Sequence, residues 1–74
     1  MKDIKEMNQF EVKRLENKVA RALHTQRRML RIDAITPFAN GSDELRVVMR
    51  GGYVYRVVWD GVKVLQVARE VVRV

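Results

Sequence analysis

Apolar residues recur at helical spacing through the first part of the chain. Val12, Leu15, Val19, Leu23 and Leu30 form the stripe, and Ala22 and Met29 widen it. That period fits an amphipathic helix with one buried side. Two capping boxes compete for its start, Asp3 with Glu6 and Asn8 with Glu11. At Asn8 the flanking Met7 and Val12 also occupy the hydrophobic-staple positions. The pattern therefore predicts a helix over 8–31 behind an arm at 1–7. Its end is expected near 28–31, where arginines suit the negative pole of the helix dipole.

Beyond Pro37 the period changes from helical to alternating. Three dipeptides, Asn40-Gly41, Gly51-Gly52 and Asp60-Gly61, suit two-residue hairpin turns that require positive φ. The segments between them are rich in β-branched and aromatic residues. Strands are expected at about 32–38, 44–50, 53–59 and 62–67. If each turn holds two residues, Arg50 lies opposite Tyr53, Trp59 opposite Val62 and Ala34 opposite Val47. One face then gathers Ile32, Ala34, Leu45, Val47, Met49, Val54, Val58, Leu65 and Val67, interrupted only by Arg56 and Lys63. The other gathers Arg46, Val48, Arg50, Tyr53, Tyr55, Val57, Trp59, Val62, Val64 and Gln66.

The predicted fold class is α+β: a long N-terminal amphipathic helix packed on one face of a four-stranded antiparallel β-meander. Residues 32–74 form the sheet, and 1–74 make one small domain. The last segment, AREVVRV, fits either a strand extension or a short C-terminal helix, its valines favouring strand.

Charge gives this outline a direction. The net charge is +6, and residues 1–31 hold nine bases against four acids. Residues 17–32 carry Lys18, Arg21, Arg27, Arg28 and Arg31 with no acid at all. Like charges without acidic i,i+4 partners repel along a helix, which points to a polyanion or an acidic partner surface. Charge that only keeps the protein soluble would give the same count. There is no Cys and a single His24, so neither disulfides nor a structural zinc is expected. No apolar run approaches the length needed to span a bilayer, and MKDIKEMNQF has no secretory pattern. A cytoplasmic location without membrane association is the expectation.

Two groups of residues are candidates for binding. On the helix, Arg14, Lys18, Arg21 and Arg28 recur along one side, with Lys13, Arg27 and Arg31 flanking, as a row of phosphate contacts would. On the second sheet face, Tyr53, Tyr55 and Trp59 would stack bases while Arg46 and Arg50 hold the backbone. The same residue types anchor protein interfaces, and this face could equally be covered by the C-terminal segment or a second subunit. A helix reaching residue 30 would overhang the sheet and leave Met7, Phe10 or Ile4 uncovered as a docking arm.

Catalysis finds no constellation. His24 reads as solvated or capping, Ser42 as a turn residue, and Asp33, Asp43, Glu44, Asp60 and Glu70 are scattered. Gly51-Gly52 is a hairpin and not a phosphate loop. No cofactor or metal is implied. The expectation is a small basic non-enzymatic regulatory protein that binds DNA or RNA through the helix, with base stacking on the aromatic face. The alternative is a protein-binding modulator or inhibitor, of the compact kind that phages and mobile elements encode. It would dock on an acidic or nucleic-acid-processing protein through Met7, Phe10, Tyr55 and Trp59. A homodimer is compatible with either.

Overall fold

The computed structural model describes residues 7–70. Helix α1 runs Gln9–Ala22, a single 3-10 turn follows at Arg27–Met29, and the strands are β1 Leu30–Pro37, β2 Asp43–Met49, β3 Val54–Trp59 and β4 Val64–Glu70. The strands form one antiparallel sheet whose spatial order is the chain order. The fold is α+β. Residues 68–70 extend β4; Ile4 and the rest of the arm at 1–6, like residues 71–74, lie outside the described residues.

The helix starts where the capping box placed it. The Glu11 N–H donates to Asn8 Oδ1 at 2.8 Å, and Asn8 Nδ2 donates to Glu11 Oε1 at 3.0 Å. It ends well before 28–31. His24 sits at φ 53°, its N–H donates to the Arg21 carbonyl at 3.2 Å, and the Thr25 N–H donates to the Ala20 carbonyl at 2.9 Å. That pair of bonds is a Schellman motif, built on histidine where glycine is usual. The expected helix of 8–31 is therefore corrected to 14 residues, about 21 Å long. With that length the overhang disappears. Met7 packs half-buried against the core, and Phe10 is 85% exposed because it faces outward.

Leu15, Val19 and Ala20 of α1 share one core with Leu30, Ile32, Leu45, Val47 and Val57. Val19, Leu45, Val47 and Val57 are fully buried. On the helix side of the sheet Ile35, Met49, Tyr55, Trp59 and Val64 complete the packing.

The first two turns close over three residues and the third over Gly61 and Val62, where Asp60 and Gly61 were expected, and the register differs accordingly. At the second turn Val47 pairs with Tyr55 and Val48 with Val54. The Met49 N–H donates to the Tyr53 carbonyl at 2.7 Å, which closes a three-residue loop in which Gly52 has φ 93°. Relative to the expectation this turns β3 over. Tyr55, Val57 and Trp59 face the helix, while Val54, Arg56 and Val58 face away. The reason is energetic. The expected register would bury Arg56 among valines without a counter-charge, a cost greater than any turn preference.

Two bulges restore the other strands. At the first turn Asn40 and Gly41 do take positive φ, 54° and 78°. The ladder nevertheless resumes one residue off, with Pro37 opposite Asp43. A bulge at Asp33 and Ala34, both opposite Arg46, then shifts it again. Ile32 thus stays on the core face, opposite Val47 where Met49 was expected, and Ile35 takes the core place expected of Ala34. In the third turn Asp60 Oδ1 accepts from the Val62 and Lys63 N–H groups at 2.8 and 2.7 Å. That loop and a bulge at Leu65 pair Trp59 with Val64 and Val57 with Val67.

Candidate nucleic-acid interface

The helix places Phe10, Arg14, Lys18 and Arg21 on one side because residues three and four apart fall on one face. With Lys13 and Asn17 they line an open groove of about 440 Å³. The side chains here are four cations, one amide and one phenyl ring, and no acid among the described residues lines the groove. Nor does any ion pair among the described residues involve Lys13, Arg14, Lys18 or Arg21. Arg14 to Lys18 and Lys18 to Arg21 are like-charge neighbours at i,i+4 and i,i+3. Each such contact works against the helix by a few tenths of a kcal/mol, about 0.2–0.5 kcal/mol. An anion lying along the groove would relieve that repulsion.

The early end of α1 divides the basic residues that the sequence assigned to one helix. Arg27 lies beyond it and pairs with Glu16 at 3.7 Å. Arg28 sits in the 3-10 turn, its Nε donating to Gln26 Oε1 at 2.6 Å. Arg31 is in β1, 3.9 Å from Asp33. None of the three continues the helical row.

The aromatic platform is not assembled. Tyr55 and Trp59 are half-buried on the helix side. Arg46 lies on the opposite face, where its Nη1 reaches Asp33 Oδ2 at 2.6 Å and its Nε lies 3.9 Å from Glu70 Oε2. Trp59 borders a pocket of about 280 Å³ that Arg14 lines from the helix together with the carboxylates of Glu11 and Asp43, a poor setting for a phosphate chain. Tyr53 is exposed in the second turn, but Arg69 covers its ring at 4.2 Å from the centroid. Arg50 is exposed in the same turn, apart from Tyr55 and Trp59.

The outward sheet face is a laced mixture of charges. Glu44, Arg46, Val48, Val54, Arg56, Val58, Gln66 and Glu70 occupy it by register. Val54 and Val58 are nonetheless buried. Sequence reasoning missed Asp33 and Glu70 as partners of Arg46. The bulge that brings Asp33 beside Arg46 has no glycine to announce it.

Ser42 is the one buried polar residue among those described, and its hydroxyl donates to the Ala39 carbonyl within the first turn. Among the described residues no group of three or more acids or histidines could hold a metal ion, and no helix is long and apolar enough to cross a membrane. Among the described residues, Asp60 has a displaced pKa. The N–H groups of Lys63 and Val62 hold its carboxyl below the ordinary 3.8.

In comparisons with known proteins the chain matches no family model, no curated protein and no solved structure. The functional reading therefore rests on the chemistry of this surface.

Proposed function

We propose that the chain is a small basic, non-enzymatic nucleic-acid-binding protein that contacts the phosphate backbone through the outer side of α1. Arg14, Lys18 and Arg21 are the principal contacts and Lys13 flanks them. The observation that carries this reading is the groove on α1, with its four cations and no acid among the described residues that line it. Guanidinium and ammonium groups bind phosphate oxygens whatever the base, so the binding is expected to be insensitive to sequence. Base stacking on Tyr55 and Trp59 is not part of the proposal, because both rings pack toward the helix.

The test is affinity for single- and double-stranded DNA and RNA as a function of salt. Three phosphate contacts predict a slope of log K against log[salt] of about −2 to −3. An affinity that does not change with salt would remove the reading. Trp59 serves as a control. Trp59→Phe should leave the affinity unchanged, and loss of binding in a folded Trp59→Phe protein would bring the stacking role back.

Phe10 favours a second reading. A phenyl ring 85% exposed at the head of a row of cations is the layout of a protein-docking site with an apolar anchor and a basic rim. The partner would carry an acidic surface around an apolar pocket. Phe10→Ala separates the two readings: phosphate binding tolerates it, and docking on a protein does not.

A further inference from the structure

Three of the arginines outside α1 come together at one place. Arg28 from the 3-10 turn, Arg31 from β1 and Arg50 from the second turn line one pocket of about 270 Å³ at the end of the sheet. Met29 and Met49 also line it, and no acid among the described residues does. Two bonds hold the arrangement. The Arg50 N–H donates to the Met29 carbonyl at 2.8 Å, which ties the hairpin loop to the 3-10 turn. Gln26 accepts from Arg28 Nε and fixes that side chain by its inner nitrogen, leaving the two outer ones to donate. Asp33 draws on Arg31 only at 3.9 Å and is engaged more closely by Arg46 at 2.6 Å.

Three arginines lining one pocket carry more positive charge than a backbone phosphodiester, with its single negative charge, can neutralise. A phosphomonoester carries about −1.5 to −2 at neutral pH and offers three terminal oxygens. Planar guanidinium forks match those oxygens in pairs. We propose that this pocket binds a phosphomonoester, namely the terminal phosphate of a nucleic-acid strand whose backbone lies on α1. The inference rests on the reading of α1 given above. It adds a preference for strand ends that the helix alone does not provide.

The experiment compares short oligonucleotides of one sequence bearing a 5′-phosphate, a 3′-phosphate or neither. In parallel, inorganic phosphate is titrated against the arginine Nε signals by NMR at constant ionic strength. One phosphorylated form should bind about tenfold more tightly than the unphosphorylated strand, the scale of one or two charge-assisted hydrogen bonds. Arg50→Gln and Arg31→Gln should reduce that ratio to about one while preserving affinity for the unphosphorylated strand. Arg46→Gln should leave the ratio intact. Inorganic phosphate should shift the signals of Arg28, Arg31 and Arg50 together. Equal affinity for all three strands would overturn the terminal-phosphate assignment and leave the α1 reading standing. Shifts with inorganic phosphate but no binding of any strand would support the pocket and remove the α1 reading. Absence of both responses would overturn the pocket itself. Unchanged near-ultraviolet dichroism confirms that each variant is folded.

Discussion

The outer side of α1 and the outward face of the sheet both carry exposed arginines, but acids stand among those of the sheet. On the sheet, Arg46 stands between Asp33 and Glu70. On the helix, no acid among the described residues lines the groove of Arg14, Lys18 and Arg21. Counting cations therefore does not tell the two surfaces apart. What separates them is the partner each cation has when the chain is folded. A paired surface arginine adds little to long-range attraction, whereas an unpaired row adds its full charge.

The largest expected effect comes from reversing the open side. Arg14→Glu with Arg21→Glu should lower affinity for any nucleic acid by about a hundredfold at low salt and flatten the salt slope by about two. If the double variant binds as tightly as the parent, the contrast between the two faces has no functional content.

His24 marks the boundary between the helical row and the cations beyond it. An L-residue in the left-handed region bears about 1–2 kcal/mol of local strain, part of which glycine returns as unfolded-state entropy. His24→Gly should raise stability by about 0.5–1 kcal/mol, a gain of several degrees in Tm for a domain this small. Its salt slope should equal the parent's. A lowered Tm would mean that the imidazole supports the structure by contacts of its own.

The paired side should behave in the opposite manner to the helix. Arg46→Ala should leave binding unaltered and reduce stability by about 0.2–1 kcal/mol in urea denaturation, the usual range for exposed ion pairs. A binding loss equal to that of the helix variant would erase the distinction.

The smallest effect also belongs to the sheet. Because the folded pKa of Asp60 lies below the ordinary 3.8, its carboxylate contributes stability above that value and loses it as pH falls through the folded pKa. Acid titration below about pH 4 should therefore weaken the parent more than Asp60→Asn, whose amide oxygen still accepts from the Val62 and Lys63 N–H groups. Identical acid profiles would show that the loop carboxylate is uncoupled from folding.

Much of the fold was legible because local chemistry and tertiary packing agree. Asn8 with Glu11 is both a capping box in sequence and a pair of hydrogen bonds in space. The three glycine-bearing turns separate the strands where expected. Two features were not legible. The helix stops at a histidine, with neither glycine nor proline to mark the place. The Gly51-Gly52 pair fits a two-residue turn and equally a three-residue loop with one left-handed glycine. That single residue decides which side of β3 is buried, and with it whether Tyr55 and Trp59 are a platform or part of the packing. The interruption of the expected apolar face by Arg56 was the available sign. One charge at the centre of a buried strand is stronger evidence about register than the composition of the adjoining turn. The helical row of Arg14, Lys18 and Arg21 was legible because it depends only on spacing within one element. The arginine pocket was not, since its residues come from three segments joined by an early helix end.

The strand order has a kinetic consequence. Every strand pairs with its neighbour in the chain, so each ladder closes a loop of only a few residues. Folding can proceed by successive zipping from the central β2–β3 hairpin, with little entropy spent on distant encounters. Such topologies reach the native state quickly for sheet proteins, and the rate is set chiefly by closure of the hairpins. Once the hairpins have closed, only the outer edges of β1 and β4 are left without a strand partner among the described residues.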